Sequence, residues 1–218
     1  MIIAVGCAGG RVAGKLGLPF VAVNTDQREL DACQASTKLQ IGQEWSLGYA
    51  VGVPDAGARA VLEARVEIGK LCRGSEVLVA ALGAGTGTGA TPVVARIAKA
   101  WGCEVAAVVT MPFRFEGNRR KQNAELGLTA LAECVDRYAV VRLDDLIVDR
   151  KRSLRQAFEL ADVEVARVVE RTMTTPENSE EVSRGDNHHR SGLRRRADDE
   201  SHGWPNPGGI HRDQHRPA

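Results

Sequence analysis

The stretch Leu82-Gly83-Ala84-Gly85-Thr86-Gly87-Thr88-Gly89, followed by Ala90-Thr91-Pro92, decides how the rest of the chain is read. Ahead of it Val77-Leu78-Val79-Ala80-Ala81 is a short apolar run of the kind that forms a buried strand, and behind it Val93 to Trp101 has one apolar face and predicts a helix. Glycines at 83, 85, 87 and 89 remove the Cβ atoms that would hold a polyanion away from backbone N–H groups, and the helix start contributes unpaired donors and the positive end of its dipole. Thr86 and Thr88 add hydroxyl donors, and Pro92 is expected in the first turn, where a missing N–H costs nothing. A phosphate group is the expected guest. No Gly-Lys-Ser or Gly-Lys-Thr follows, so the loop is not a Walker P-loop. It holds a Rossmann-like Gly85-x-Gly87-x-x-Ala90, but the next strand, Val105 to Val109, ends in Thr110-Met111 instead of the acidic residue a dinucleotide requires.

The chain has 218 residues and a formal net charge of +1, which gives no reason to expect nucleic acid or an anionic membrane as partner. Five cysteines, Cys7, Cys33, Cys72, Cys103 and Cys134, are scattered without a Cys-x-x-Cys pair, so the spacing indicates neither a zinc site nor a disulfide framework, and a reducing cytoplasm fits. Met1 to Val5 runs into glycine too early for a signal peptide, and no apolar segment is long enough to span a bilayer. From Pro176 to Ala218 the apolar residues are few and all the histidines of the chain, His188 onward, gather. Residues 173–218 are therefore expected to be a disordered tail or a frame-shifted segment, and residues 1–172 to form one nucleotide-binding domain.

In order, Ile2 to Val5 predicts a first strand that opens into a second glycine loop, Gly6-Cys7-Ala8-Gly9-Gly10-Arg11, leading to a helix around Val12 to Leu16. Phe20 to Val23 is the next strand, and it delivers Asn24, Thr25 and Asp26 to the same sheet edge. Leu39 and Ile41 mark a short strand, residues 42–57 read as loop, and Asp55 to Cys72 reads as one helix with Ala58, Val61, Leu62, Val66, Ile68 and Leu71 inward. After the strand Val105 to Val109, Pro112-Phe113-Arg114-Phe115-Glu116-Gly117-Asn118-Arg119-Arg120 is a polar loop in which an arginine suits phosphate and Glu116 suits a ribose hydroxyl. A helix from Lys121 to Glu133 and a strand from Ala139 to Leu143 follow. A long helix from Ser153 to Arg171 then places Phe158 and Asp162 one turn apart: an aromatic face for a base and a carboxylate for its N–H donors.

These motifs resemble the tubulin superfamily, and within it the prokaryotic cell-division GTPase FtsZ. The matches are Gly83 to Gly89 for the glycine-rich signature, Gly6 to Arg11 and Val23 to Asp26 for two further loops, Pro112 to Arg120 for the ribose loop, and Ala157-Phe158 with Asp162 for the central helix. The resemblance implies an α/β domain, a Rossmann-like parallel sheet in the order 3-2-1-4-5-6 with helices on both faces, that binds GTP or GDP with Mg2+ held through the phosphates. Carried over residue by residue, the nucleotide contacts are Gly6, Gly9, Gly10, Arg11, Asn24, Asp26, Gly83, Gly85, Thr86, Gly87, Thr88, Gly89, Glu116, Arg120, Phe158 and Asp162. The implied partners are copies of itself or full-length FtsZ-like subunits in a filament, with no nucleic acid and no direct membrane contact.

Two departures from the family pattern stand out. Tyr49, Val51 and Val53 occupy positions in the loop 47–57 where glycines and an Asn would be expected, which bears on sensing of the γ-phosphate. The Asn-x-Asp-x-x-Asp loop that would activate water on the next subunit's GTP, and the second α+β domain, do not follow the central helix. Three readings result: a GTPase that hydrolyses only where a neighbour supplies that loop, a non-hydrolysing guanine-nucleotide binder that caps or regulates filaments, and a nicotinamide-dependent oxidoreductase resting on the Gly85-x-Gly87-x-x-Ala90 match.

Overall fold

The computed structural model describes residues 1–43, 52–146 and 153–174. Residues 44–51, which include Tyr49 and Val51 of the divergent loop, and the tail from residue 175 lie outside the described residues.

Six strands, β1 (Ile2–Val5), β2 (Phe20–Asn24), β3 (Thr37–Gln40), β4 (Ser75–Ala81), β5 (Glu104–Met111) and β6 (Arg137–Arg142), form one sheet in the order β3-β2-β1-β4-β5-β6. Every neighbouring pair is parallel. Parallel strands need crossover connections, and the described helices supply them: α1 (Gly6–Gly14), α2 (Gln27–Ala32), α3 (Pro54–Glu63), α4 (Arg65–Leu71), α5 (Gly85–Ala100), α6 (Asn118–Ala132) and α7 (Leu154–Thr174). Side chains alternate across a strand, and here both phases are buried. Ile2, Ala4, Val77, Val79, Ala106 and Val108 join Val12 of α1 and Ala161, Val165 and Val169 of α7 in one core. The intervening Ile3, Val5, Leu78, Ala107 and Val109 are as fully buried, as are Val61, Ile68, Val94 and Leu131 of helices α3 to α6. Helices therefore cover both faces, as the resemblance implies.

Three local differences from the sequence reading have physical causes. The periodicity predicts one helix over 55–72, whereas the chain breaks at Ala64 (φ −95°, ψ 20°) into α3 and α4. The break rotates the second half, so that Ile68 is buried while Val66, expected inside, is exposed. Helix α5 begins at Gly85, not Val93, which puts Pro92 in the helix interior instead of its first turn. Proline there leaves the Thr88 carbonyl without its helical donor. Helix α2 is short and mostly polar, so it carries no apolar periodicity; what starts it is the buried Asp26, whose carboxylate accepts from the Arg28 backbone N–H at 3.0 Å.

Candidate functional site

The carboxyl ends of β1 and β4, neighbours at the centre of the sheet, each run straight into a helix. At Gly6 the chain turns with φ +75°, a conformation that favours glycine, and α1 starts there; at Gly83 it turns with φ +117° before α5 starts at Gly85. The N-cap residues are Val5 and Ala84, and neither helix start receives a side-chain cap. Two sets of first-turn N–H donors and two positive dipole ends thus converge on one edge without a capping side chain to engage them.

Between them lies a cleft of about 480 Å3, a volume typical of small-molecule sites. Its walls include Gly6, Gly9 and Arg11 of α1, Asn24 at the end of β2, Thr86 and Gly87 of α5, Glu116 and Arg120 after β5, and Phe158 and Asp162 of α7. Residues drawn from five separate segments meet at one place. Gly10 borders an adjoining depression that shares Gly6, Arg11, Asn24, Phe158 and Asp162.

The remaining sequence candidates sit behind the wall. Thr88 is fully buried, and its Oγ1 accepts the Gly83 backbone N–H at 2.7 Å, closing the turn from inside. Gly89 lies against Pro54, where a Cβ would collide with the Pro54 carbonyl, and the Gly85 carbonyl lies against Gly57 in the same seam between α3 and α5. A Cβ on Gly87 would strike the Ala81 carbonyl, and one on Gly9 the Val79 carbonyl. These glycines let two helices approach the sheet and each other; the approach of a ligand is a separate consequence of where the helices start. Asp26 is buried and held by Arg28: burial would raise its pKa, but the hydrogen bonds from the Arg28 side chain and backbone outweigh that and lower it.

The polar groups on the wall are positioned by one another. Asn24 Oδ1 accepts from the backbone N–H of Thr25 at 2.8 Å and of Asp26 at 3.3 Å, and Thr25 Oγ1 lies 2.9 Å from Thr86 Oγ1, joining the β2 end to α5. Glu116 is held twice, by the Phe113 backbone N–H at 2.9 Å and by Arg120 Nη1 at 2.6 Å. Phe158 meets the buried Phe113 edge-on at 5.1 Å, and Phe113 in turn stacks on the exposed Phe115 at 4.8 Å. Arg11 Nε donates to Asp162 Oδ2 at 3.1 Å, with the carboxylate nearly buried and the guanidinium half exposed. Sequence reasoning did not foresee that pair, nor Cys7, whose side chain borders the cleft beside Asn24 and whose thiol burial pushes up in pKa, keeping it protonated. Only its place beside Gly6 hints at it.

Residues 17–148 match the family model described as Tubulin/FtsZ family, GTPase domain. The chain belongs to the tubulin/FtsZ family. Among solved structures it is similar to an FtsZ dimer, empty, from M. jannaschii, with a TM-score of 0.74 and 34% identity, covering 78% of this chain and 53% of that one. It is also similar to CetZ2 from Haloferax volcanii, solved as a GTPγS-bound protofilament, with a TM-score of 0.71 and 26% identity, covering 79% of this chain and 57% of that one. The chain spans about half the length of these tubulin/FtsZ relatives. Among the described residues no helix is long and apolar enough to cross a membrane.

Proposed function

We propose that this tubulin/FtsZ-family domain binds GTP and GDP in the cleft between α1, α5 and α7. The observation that carries the reading is the convergence of two helix starts without side-chain caps, Gly6 and Gly85, beside an aromatic and a carboxylate one turn apart on α7. Phosphates fit the first-turn N–H groups, Glu116 and Arg120 the ribose and its nearest phosphate, Phe158 the base face, and Asp162 the N1–H and N2–H donors that guanine has and adenine lacks. Asp26, the acidic side chain at the end of β2, is already engaged by Arg28, so Mg2+ is held through the phosphates and not by a carboxylate cage.

In this reading hydrolysis requires a filament, where a neighbouring subunit brings acidic residues to the γ-phosphate, and the role is FtsZ-like: cell division in the cytoplasm, through association with itself or with full-length subunits. The second reading, a non-hydrolysing capper of such filaments, is favoured by the sequence after α7, which contains no Asn-x-Asp-x-x-Asp. Titration of labelled GTP, competed by GDP, ATP and NAD, tests the binding claim. Guanine-selective binding that loses its selectivity in Asp162→Ala is the expected result, and equal competition by ATP or stronger competition by NAD would overturn it. Mixing the chain with an intact FtsZ separates the two roles, since a capper lowers polymer mass and GTP turnover whereas a competent subunit sustains both.

A further inference from the structure

At the opposite edge of the sheet, where the strands begin, three segments bring together side chains that the nucleotide cleft does not use. Cys72 follows α4, Glu76 is the second residue of β4, and Cys103 immediately precedes β5. Their ligand atoms, two Sγ and a carboxylate oxygen, all lie within 4.8 Å of one another. Glu76 has no exposed surface. One of its oxygens accepts the Arg73 backbone N–H, but Oε2 is buried without a hydrogen-bond partner, and the ammonium of Met1 stands 3.8 Å from it, beyond hydrogen-bond reach. The Met1 ammonium forms only this long ion pair with it, and a buried carboxylate oxygen without a hydrogen-bond donor is open to closer coordination by a cation. The groups beside it are thiols, the chemistry that soft and borderline divalent ions prefer.

We propose that Cys72, Glu76 and Cys103 form a site for a thiophilic divalent cation of the Zn2+ class, independent of nucleotide binding. Two thiolates and a carboxylate supply three of the four positions of a tetrahedral site. The Cys103 side is closed, whereas Cys72 is partly exposed, so the fourth position opens toward solvent and takes water. Binding releases the two thiol protons to solvent. The metal clasps the turn entering β4 to the turn entering β5, positions separated by a whole helix in sequence. That separation is why cysteine spacing alone gives no sign of the site.

The test uses the full chain, reduced and stripped of metal, titrated with Co2+ and then with Zn2+. One equivalent of Co2+ should give a thiolate-to-cobalt charge-transfer band that Zn2+ abolishes. The band should weaken or vanish in Cys72→Ser and Cys103→Ser and persist in Cys33→Ser. Changes around a metal's ligands alone typically weaken binding about 10–100-fold, so Glu76→Gln, which alters a ligand, should weaken it by at least that much. Because Cys103 is buried, Cys72→Ser carries the test if Cys103→Ser fails to fold, with circular dichroism reporting folding. A folded, reduced chain that gives no thiolate band, a band indifferent to Cys72→Ser, or cobalt uptake with only imidazole character from the histidines at 188–215 would each overturn the proposal.

Discussion

Two glycines in the same helix make a sharp comparison. In α1, Gly9 faces the sheet and Gly14 faces open space. Replacing glycine by alanine inside a helix is favourable by about 1 kcal/mol from backbone entropy alone, and by less at a last helical residue such as Gly14. At Gly14 nothing opposes that gain, so Gly14→Ala should stabilise the chain by about 0.5 kcal/mol. At Gly9 the new methyl would overlap the Val79 carbonyl and also come within 3.3 Å of the Val79 carbonyl carbon and 3.4 Å of that of Ala4. Val79 belongs to β4, which is paired on both sides by β1 and β5, so its carbonyl has no freedom to swing away. The helix must lift instead, by about an ångström, and overpacking of this kind costs about 1–3 kcal/mol or more. With the rigid sheet placing the cost at the upper end, the net effect of Gly9→Ala is a loss of about 2 kcal/mol. For a chain of this size about 1 kcal/mol shifts the melting temperature by about 2–4 °C, so Gly9→Ala should melt about 4–8 °C below the parent and Gly14→Ala slightly above it. Thermal unfolding followed by circular dichroism, without nucleotide, measures both. If the two variants shift in the same direction, the reasoning that Gly9 is required by helix-to-sheet contact is wrong.

Three further outcomes are expected. Thr88→Val strands the buried Gly83 N–H and should cost about 1–3 kcal/mol, while Thr88→Ser keeps the acceptor and should restore most of it in denaturant unfolding. Asp136 has its pKa lowered by the hydrogen bond from Lys99 and by that from the Val105 backbone N–H. Its contribution is therefore complete above the unfolded carboxyl value of about 3.9 and is lost as pH falls through the lower folded value; the pair is partly exposed, so Asp136→Asn should cost about 1 kcal/mol at neutral pH and progressively less in acid, measured by unfolding across that range. Arg11→Ala removes the partner that occupies Asp162, a half-exposed pair worth up to about 1 kcal/mol, so guanosine, which carries no phosphate for Arg11 to hold, should bind up to about fivefold more tightly by calorimetry; unchanged or weaker binding of guanosine would refute competition for Asp162.

The strands β1 and β4 and the glycine turns after them were legible because apolar runs ending in glycine state both the strand and the need for a tight turn, while the strand order came with the family resemblance. Where each helix begins was not: Gly85 to Gly89 has poor helix propensity, and only packing of α5 on β4 and α3 makes that segment helical. The same packing explains why the sequence assigns the glycines to phosphate when Gly9, Gly87 and Gly89 abut carbonyl groups of the protein itself. Val53 is a different case. It sits at the N-cap of α3 with no side-chain oxygen to offer, which is the structural counterpart of the missing Asn in the divergent loop. The ion pair of Arg11 with Asp162 joins residues far apart in sequence, and nothing in local pattern announces such pairs. The cluster around Glu76 was hidden for the same reason.

The cleft takes its walls from β1 and α1 at the front of the chain and from α7, the last described helix. A nucleotide seated there is therefore also a staple, tying residue 6 to residue 162 through a molecule that is not part of the polypeptide. Helix α7 holds to the rest through small residues, Ala157, Ala161, Val165 and Val169, while Leu154 and Met173 near its two ends are exposed. It is the element best placed to loosen first when the staple is withdrawn. At a ligand concentration of 100 times the dissociation constant the staple adds about 2.7 kcal/mol to the folded state, and amide hydrogen exchange should slow most along α7. Release of the nucleotide would then be felt as slack along α7, far away in sequence from the glycine turn at the other end of the staple.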